Sequence, residues 1–267
     1  PGMHGDGTWG TFGAVASVGY LLQRSATDIL DALNAAACQI PNSLYRPVAQ
    51  GRTVRNLYPG LAASRAIALV TGSAAGIDAP DDALTDLERV FRSPDTWTPH
   101  GTWLIEEGYL KPYAAVRHVH YGAFAAAEHH GAHPDTRDIT SLELEIYEEA
   151  TVYCGNRAPT TPIAAQFSLT YGLAHALVHG DLGPDAYTAE RLADPEVRRL
   201  ESLIAVTVAS FPENRRAAVL RVHTADATLS YSAENVPGDV DNPLDETALR
   251  AKCLAYLRPV IGERRAQ

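Results

Sequence analysis

Apolar residues recur at helical spacing through the first hundred positions, and a period-two pattern appears only after residue 138. A chain written this way separates a helical segment from one that carries a sheet. The stretch "TFGAVASVGYLLQ" predicts a helix over residues 11–23 with Val15, Val18 and Leu22 on one stripe. "SATDILDALNAAAC" places Asp28 three residues after Ser25, a capping-box spacing, and continues with Ile29, Leu33 and Ala36 at helical intervals. "YPGLAASRAIALVTG" predicts a small-residue helix stopped by Gly72, and "APDDALTDLERVFRS" an amphipathic helix with Leu84, Leu87 and Phe91 inward. These stripes need more apolar partners than the segment offers, so further helices are expected from elsewhere.

Beyond Trp103 the character changes. A helix is expected over residues 118–130, and "ITSLELEIYEEATVY" alternates apolar and charged residues through Leu142, Leu144 and Ile146, as a half-buried strand does. "TPIAAQFSLTYGLAHALVHG" predicts one long helix with Pro162 near its start and Gly180 after its end. Asp194-Pro195 caps a short helix, "LIAVTVAS" reads as a strand, and "AAVLRVHTADATLSYSA" as a hairpin turning near Ala225-Asp226. The loop "NVPGDVDNPLD" leads into a closing helix, "LDETALRAKCLAYLRPV". The expected class is α+β: a mostly helical domain over residues 1–104, incomplete in this chain, a smaller α/β domain over 105–235, and a C-terminal return to the helical domain over 236–267.

A formal net charge of −10 over 267 residues argues against nucleic acid as the main partner, because phosphate binding wants clustered Lys and Arg. No apolar run approaches a membrane span. Three cysteines, Cys38, Cys154 and Cys253, without metal-like spacing fit a reducing, cytoplasmic setting. Gly5-Asp6-Gly7-Thr8-Trp9-Gly10 is a GxGxxG string, but the four residues before it leave no room for the strand that a dinucleotide fingerprint requires. There is no P-loop, Gly-x-Ser-x-Gly or His-Glu-x-x-His pattern.

Four stretches carry residues suited to chemistry. His4 stands before small residues and hydroxyls (Gly5, Gly7, Thr8, Thr11) at a helix entrance, which suits either an acid or base facing a carboxylate or a flexible Gly turn. "TVRNLYPG" sets Arg55 before Tyr58 and a Pro-Gly turn, as a bidentate carboxylate partner or a surface cation. "YLKPYAAVRHVH" gathers Lys111, Tyr113, Arg117, His118 and His120 at a helix start, as an anion site or a solvated basic face. "EHHGAH" holds His129, His130 and His133, expected as an exposed, unliganded helix end rather than a metal centre.

Taken in order, these stretches resemble the 2-methylcitrate dehydratase/cis-aconitate decarboxylase family, MmgE/PrpD. The resemblance runs through "HGDGTWGTFGAVASVGYLL", "GRTVRNLYPGLAASRAIAL", "YLKPYAAVRHVH", "PIAAQFSLTYGLAHALVHGDL" and "PGDVDNPLDETALRAKC". It implies a mostly helical domain, a smaller α/β domain and an active site between them. It also implies catalytic His4, Lys111, His120 and Tyr171, substrate-binding Asp6, Thr8, Arg55, Tyr58, Tyr113 and Arg117, and no metal or other cofactor. Asp6 stands where the family usually has Thr, Arg55 where some members have Lys, and Ala114-Ala115-Val116 where Pro-Cys-Cys is usual. These departures put the familiar tricarboxylate substrates in doubt. The family's long helical region before His4, with its Asp and His, has no counterpart here. The expectation is therefore a subunit of a split, cofactor-free lyase of dehydratase type. It would act on a small carboxylate by proton abstraction next to a carboxylate. A separate chain would supply the missing helices, in a heterodimer or a dimer of heterodimers. The alternatives are an isomerase, an epimerase or a specialised cyclase on the same pocket, or a non-catalytic partner subunit.

Overall fold

A computed structural model describes residues 2–91, 101, 103–212 and 215–266. The chain divides into two compact units, Pro1–Pro99 and His100–Gln267. It is α+β: the described part of the first unit has helices and no strand longer than one bridge, and the second holds a four-stranded sheet.

Four main helices build the first unit: Gly10–Leu21, Ala26–Cys38, Tyr58–Ala74 and Ala83–Phe91. The Ser25/Asp28 capping box forms as the spacing predicts, satisfying donors that the helix start leaves over. Small residues let the helices approach closely. Val15, Ala32, Ala36, Ala66 and Val70 form the buried centre, with Phe12, Val18, Leu33 and Leu69 around it. At Gly19 a Cβ would stand 2.6 Å from Ile29 Cγ1, so glycine sets the contact between the first two helices. Buried Asn34 ties in the Ala83–Phe91 helix by donating to the Asp81 carbonyl and accepting from Leu84 N. This core is thin. Tyr20, Leu21 and Ile67 are 79%, 76% and 54% exposed, and Leu22, expected on the inner stripe, lies past its helix end in solvent.

In the second unit β1 (Ile139–Ile146), β2 (Ile204–Val208), β3 (Ala218–Thr224) and β4 (Thr228–Ala233) lie in the order β2-β1-β3-β4. β1 and β2 are parallel; the other pairs are antiparallel. Leu142, Leu144 and Ile146 of β1 and Leu220 and Val222 of β3 are fully buried, which the alternation in the sequence required. Helix Arg117–Ala132 packs on β3, β4 and helix Leu169–His179. The two helices touch at Gly172, where a Cβ would meet Val119 Cγ1 at 2.3 Å. Residues 236–267 group with this unit; helix Glu246–Ile261 sends Lys252 Nζ to the Lys111 carbonyl.

Several boundaries differ from the sequence reading. The strand stops at Ile146 and Glu148–Tyr153 turns helical, because two glutamates suit a helix N-terminus. The expected long helix is two, Pro162–Gln166 and Leu169–His179. Ser168 breaks it by capping the second, accepting from Tyr171 N while donating to the Asn156 carbonyl at 2.6 Å. Gly72 does not stop its helix, which runs to Ala74; the left-handed glycine is Gly76, at φ +88°. The predicted helix end at Arg92 and Ser93 lies outside the described residues.

Candidate functional site

In the first unit the Gly/Thr turn is fixed rather than flexible. Met3 bridges Leu44, His4 N–H donates to the Ser43 carbonyl at 2.7 Å, and the buried Thr8 hydroxyl donates to the His4 carbonyl while accepting from Ser43 N–H. Gly7 is obligatory, since a Cβ there would lie 2.1 Å from Ser43 Oγ. The turn Gly5–Gly7 aims the Asp6 N–H at His4 Nδ1, 3.3 Å away. That bond makes Nδ1 an acceptor and leaves the proton of the neutral ring on Nε2. Burial lowers the His4 pKa; Asp6 opposes this and Arg55 adds to it. Among the described residues Nε2 makes no hydrogen bond. Tyr45 stacks on the ring at 5.9 Å and 11°, and Tyr58 meets it edge-on at 5.8 Å while its hydroxyl donates to the Leu44 carbonyl. Arg55 Nη2 donates to Asp6 Oδ2 at 3.3 Å. His4, Asp6, Thr8, Arg55 and Tyr58 are thus brought together, and Tyr45 is a member that residue type alone did not flag.

In the second unit Arg117 is buried at the start of its helix, ion-paired with Asp239. Its guanidinium lies 4.9 Å from the Tyr109 ring centre and 5.1 Å from that of Tyr121, a cation held between aromatic faces. One turn on, His120 has no exposed surface. Its Nδ1 accepts from Arg117 Nη1 and its Nε2–H donates to the Ala115 carbonyl, both at 3.3 Å. Burial, then the positive charges of Arg117, Lys111 and Lys252, push its pKa down to about 3. Both ring nitrogens are therefore engaged, and His120 orients Arg117. Tyr113 packs edge-on against His120 at 5.3 Å, its hydroxyl pushed up to about 12 by burial, with Asp181 and Glu128 adding. Lys111 is exposed, and its charge is near enough to help lower the pKa of His118 and His120. Gly238 N–H donates to the Asn242 carbonyl and the Gly238 carbonyl accepts from Leu110 N–H, so one loop places both Lys111 and Asp239. Asp239 was legible only as part of "PGDVDNP", without a role.

Tyr171 lies elsewhere, fully buried, with its hydroxyl donating to the Ala186 carbonyl and Arg198 over its ring. Of the His string, His133 is exposed as expected, whereas His129 is buried and His130 half-buried. His129 is buried against Tyr231, which it meets through Nδ1 at 3.1 Å, and His130 Nδ1 meets the Leu177 carbonyl at 2.8 Å. Among the described residues no group of three or more His, Cys, Asp or Glu is placed to hold a metal ion, and no helix is long and apolar enough to cross a membrane.

Residues 113–267 match the family model of the MmgE/PrpD C-terminal domain, more than half of the chain. The chain belongs to the MmgE/PrpD family, which contains dehydratases and related enzymes. No curated protein matches it.

Proposed function

We propose that this chain is the subunit of a split, cofactor-free, cytoplasmic lyase that removes water from a small hydroxy-carboxylate. The observation that carries the reading is His4: a half-buried imidazole with Nδ1 occupied by a backbone donor and Nε2 unengaged among the described residues. Such a ring donates a hydrogen bond to an oxygen on which charge develops, without first having to lose a proton. Lys111 holds a substrate carboxylate and stabilises the enolate-like charge formed when the neighbouring carbon loses its proton. Arg117, already paired with Asp239, shapes the field around Lys111. The base that takes the proton comes from the separate chain. Replacing His4 or Lys111 with Ala is expected to cost about 2–3 kcal/mol of transition-state stabilisation, read as kcat/KM. The assay is the ultraviolet absorbance of the conjugated acid formed from a panel of hydroxy-carboxylates. Full activity in both variants would reject the reading.

The need for a second chain rests on the first unit's exposed side chains, among them Tyr20, Leu21, Leu30 and Ile67. Covering each contributes roughly 1.5–3 kcal/mol, enough to drive association. The chain expressed alone is expected to self-associate or remain inactive. With a helical partner of about half a family member it should form a heterodimer or a dimer of heterodimers. Light scattering and a thermal melt decide this, and a cooperative, fully active monomer would refute it.

A further inference from the structure

Helix Leu169–His179 carries His175 and His179 one turn apart, with ring centres 4.5 Å from each other. Both line a cavity of about 780 Å³ within the second unit, whose other walls come from residues 181–186, Arg191 and helix Glu246–Ile261. His175 is only 2% exposed, so its ring nitrogens need partners other than bulk water. Nδ1 lies 3.0 Å from the Asp181 carbonyl, which can only accept. The neutral ring therefore carries its proton on Nδ1 and presents a lone pair at Nε2. That Nε2 is buried and has no partner among the described residues. The arrangement is the reverse of His4, whose Nδ1 accepts, and differs from His120, whose nitrogens are both engaged.

Whatever meets this lone pair must donate. Burial is the first cause lowering the His175 pKa, so a positive charge is poorly stabilised there, and an ammonium donor would fare no better than the imidazolium. A hydroxyl donates without bringing charge. The neighbouring groups suit more of the same. His179 Nε2 donates to Asp194 Oδ2 at 3.1 Å, which leaves its Nδ1 to accept from Arg191 Nη1 at 3.0 Å. His179 is thus a strut that holds Arg191, whose Nε and Nη2 make no hydrogen bond among the described residues. The exposed Asp181 and Asp185 carboxylates also line the cavity, and neither has a hydrogen bond or ion pair among the described residues. Arg258, in the same lining, is paired with Glu263 at 3.0 Å. An anion entering here meets two carboxylates, and a cation meets two guanidinium groups. A hydroxyl accepts from one kind and donates to the other. Tyr256, Pro184 and Pro259 add apolar surface for a carbon ring.

We propose that this cavity binds a neutral polyhydroxy compound of the sugar or cyclitol class, with one hydroxyl donating to His175 Nε2 and others bridging Arg191 and the Asp181 and Asp185 carboxylates. The site uses none of the residues given a role in the proposed dehydration, so the two readings stand or fall separately.

The test is a titration of the full chain, with any partner it purifies with, by myo-inositol, followed through the nitrogen-15 resonances of the histidine rings. Cyclohexanol, the same ring with one hydroxyl, is the control. Inositol should bind saturably, move the His175 Nε2 resonance toward its hydrogen-bonded position, and bind at least about tenfold more tightly than cyclohexanol. Asp185→Asn, at an exposed position, should weaken inositol about tenfold. His175→Phe keeps a ring but removes the lone pair and should abolish binding; a thermal melt checks its fold, and Asp185→Asn alone decides if that melt is not cooperative. A His175 Nε2 resonance already at its hydrogen-bonded position and unmoved by inositol would mean that only water fills the site. Equal affinity for cyclohexanol would overturn the polyhydroxy class, and unchanged inositol binding in the variants would overturn the location.

Discussion

Gly238→Ala is expected to destabilise the chain by about 4 kcal/mol and to remove activity with it. Two independent effects add at this position. The backbone sits at φ +92°, a conformation that costs a residue with a Cβ about 1–3 kcal/mol. That Cβ would also stand 1.8 Å from the Leu110 carbonyl oxygen, a backbone atom with no flexible side chain to swing away. Relief requires separating the 236–242 loop from Leu110. That separation gives up the hydrogen bond from Leu110 N–H to the Gly238 carbonyl and moves Asp239 away from Arg117. Arg117, buried among Tyr109, Tyr121 and His120, is then left without its counter-charge, which a low-dielectric site penalises heavily. Urea denaturation reads the stability, and the hydroxy-carboxylate assay reads the activity. A Gly238→Ala protein within 1 kcal/mol of wild type would show that the loop is not held against Leu110.

How much of this was legible in the sequence depends on the range of the interaction. Local patterns carried through. The Ser25/Asp28 box, the Leu142/Leu144/Ile146 alternation, the Ala225-Asp226 hairpin and the left-handed Gly180 all act within a few residues, where spacing determines geometry. The family resemblance was legible for the same reason: its stretches are short and ordered. What failed was competition between local choices and distant partners. Nothing in "AAQFSLTYG" says that Ser168 prefers to cap Tyr171 and bond Asn156 rather than continue a helix. Nothing in "EHHGAH" says that His129 meets Tyr231, 102 residues away. The candidate residues divide along the same line. His4, Asp6 and Arg55 were legible as chemistry. The Arg55–Asp6 ion pair, the stacking of Tyr45 and the pairing of Arg117 with Asp239 needed the fold.

Acidification from pH 7.5 to 5.0 is expected to remove about 4 kcal/mol of stability through two buried histidines. His120 is held down to about 3 and His118 down to about 4, in both cases chiefly by burial, with Arg117 and Lys111 adding at each. His118 Nδ1 meets the Tyr147 hydroxyl at 2.7 Å and its ring stacks on Tyr153, so it has no room to hydrate a charge. The unfolded chain titrates both rings near the ordinary value of 6.5. Above that value both states are neutral and the pair contributes its full stability. Below it the unfolded state takes up protons that the folded state refuses, so stability falls as pH falls, and continues to fall until the folded-state values of about 4 and 3 are reached. At pH 5.0 each ring has lost about 2 kcal/mol. His120→Gln keeps a donor for the Ala115 carbonyl but does not titrate. Its denaturation midpoint should therefore drop less between the two pH values, by the equivalent of about 2 kcal/mol, while carboxylate contributions cancel in the comparison. Equal pH dependence in wild type and His120→Gln would mean that His120 titrates normally, and that the Arg117–His120 contact does not hold the ring neutral.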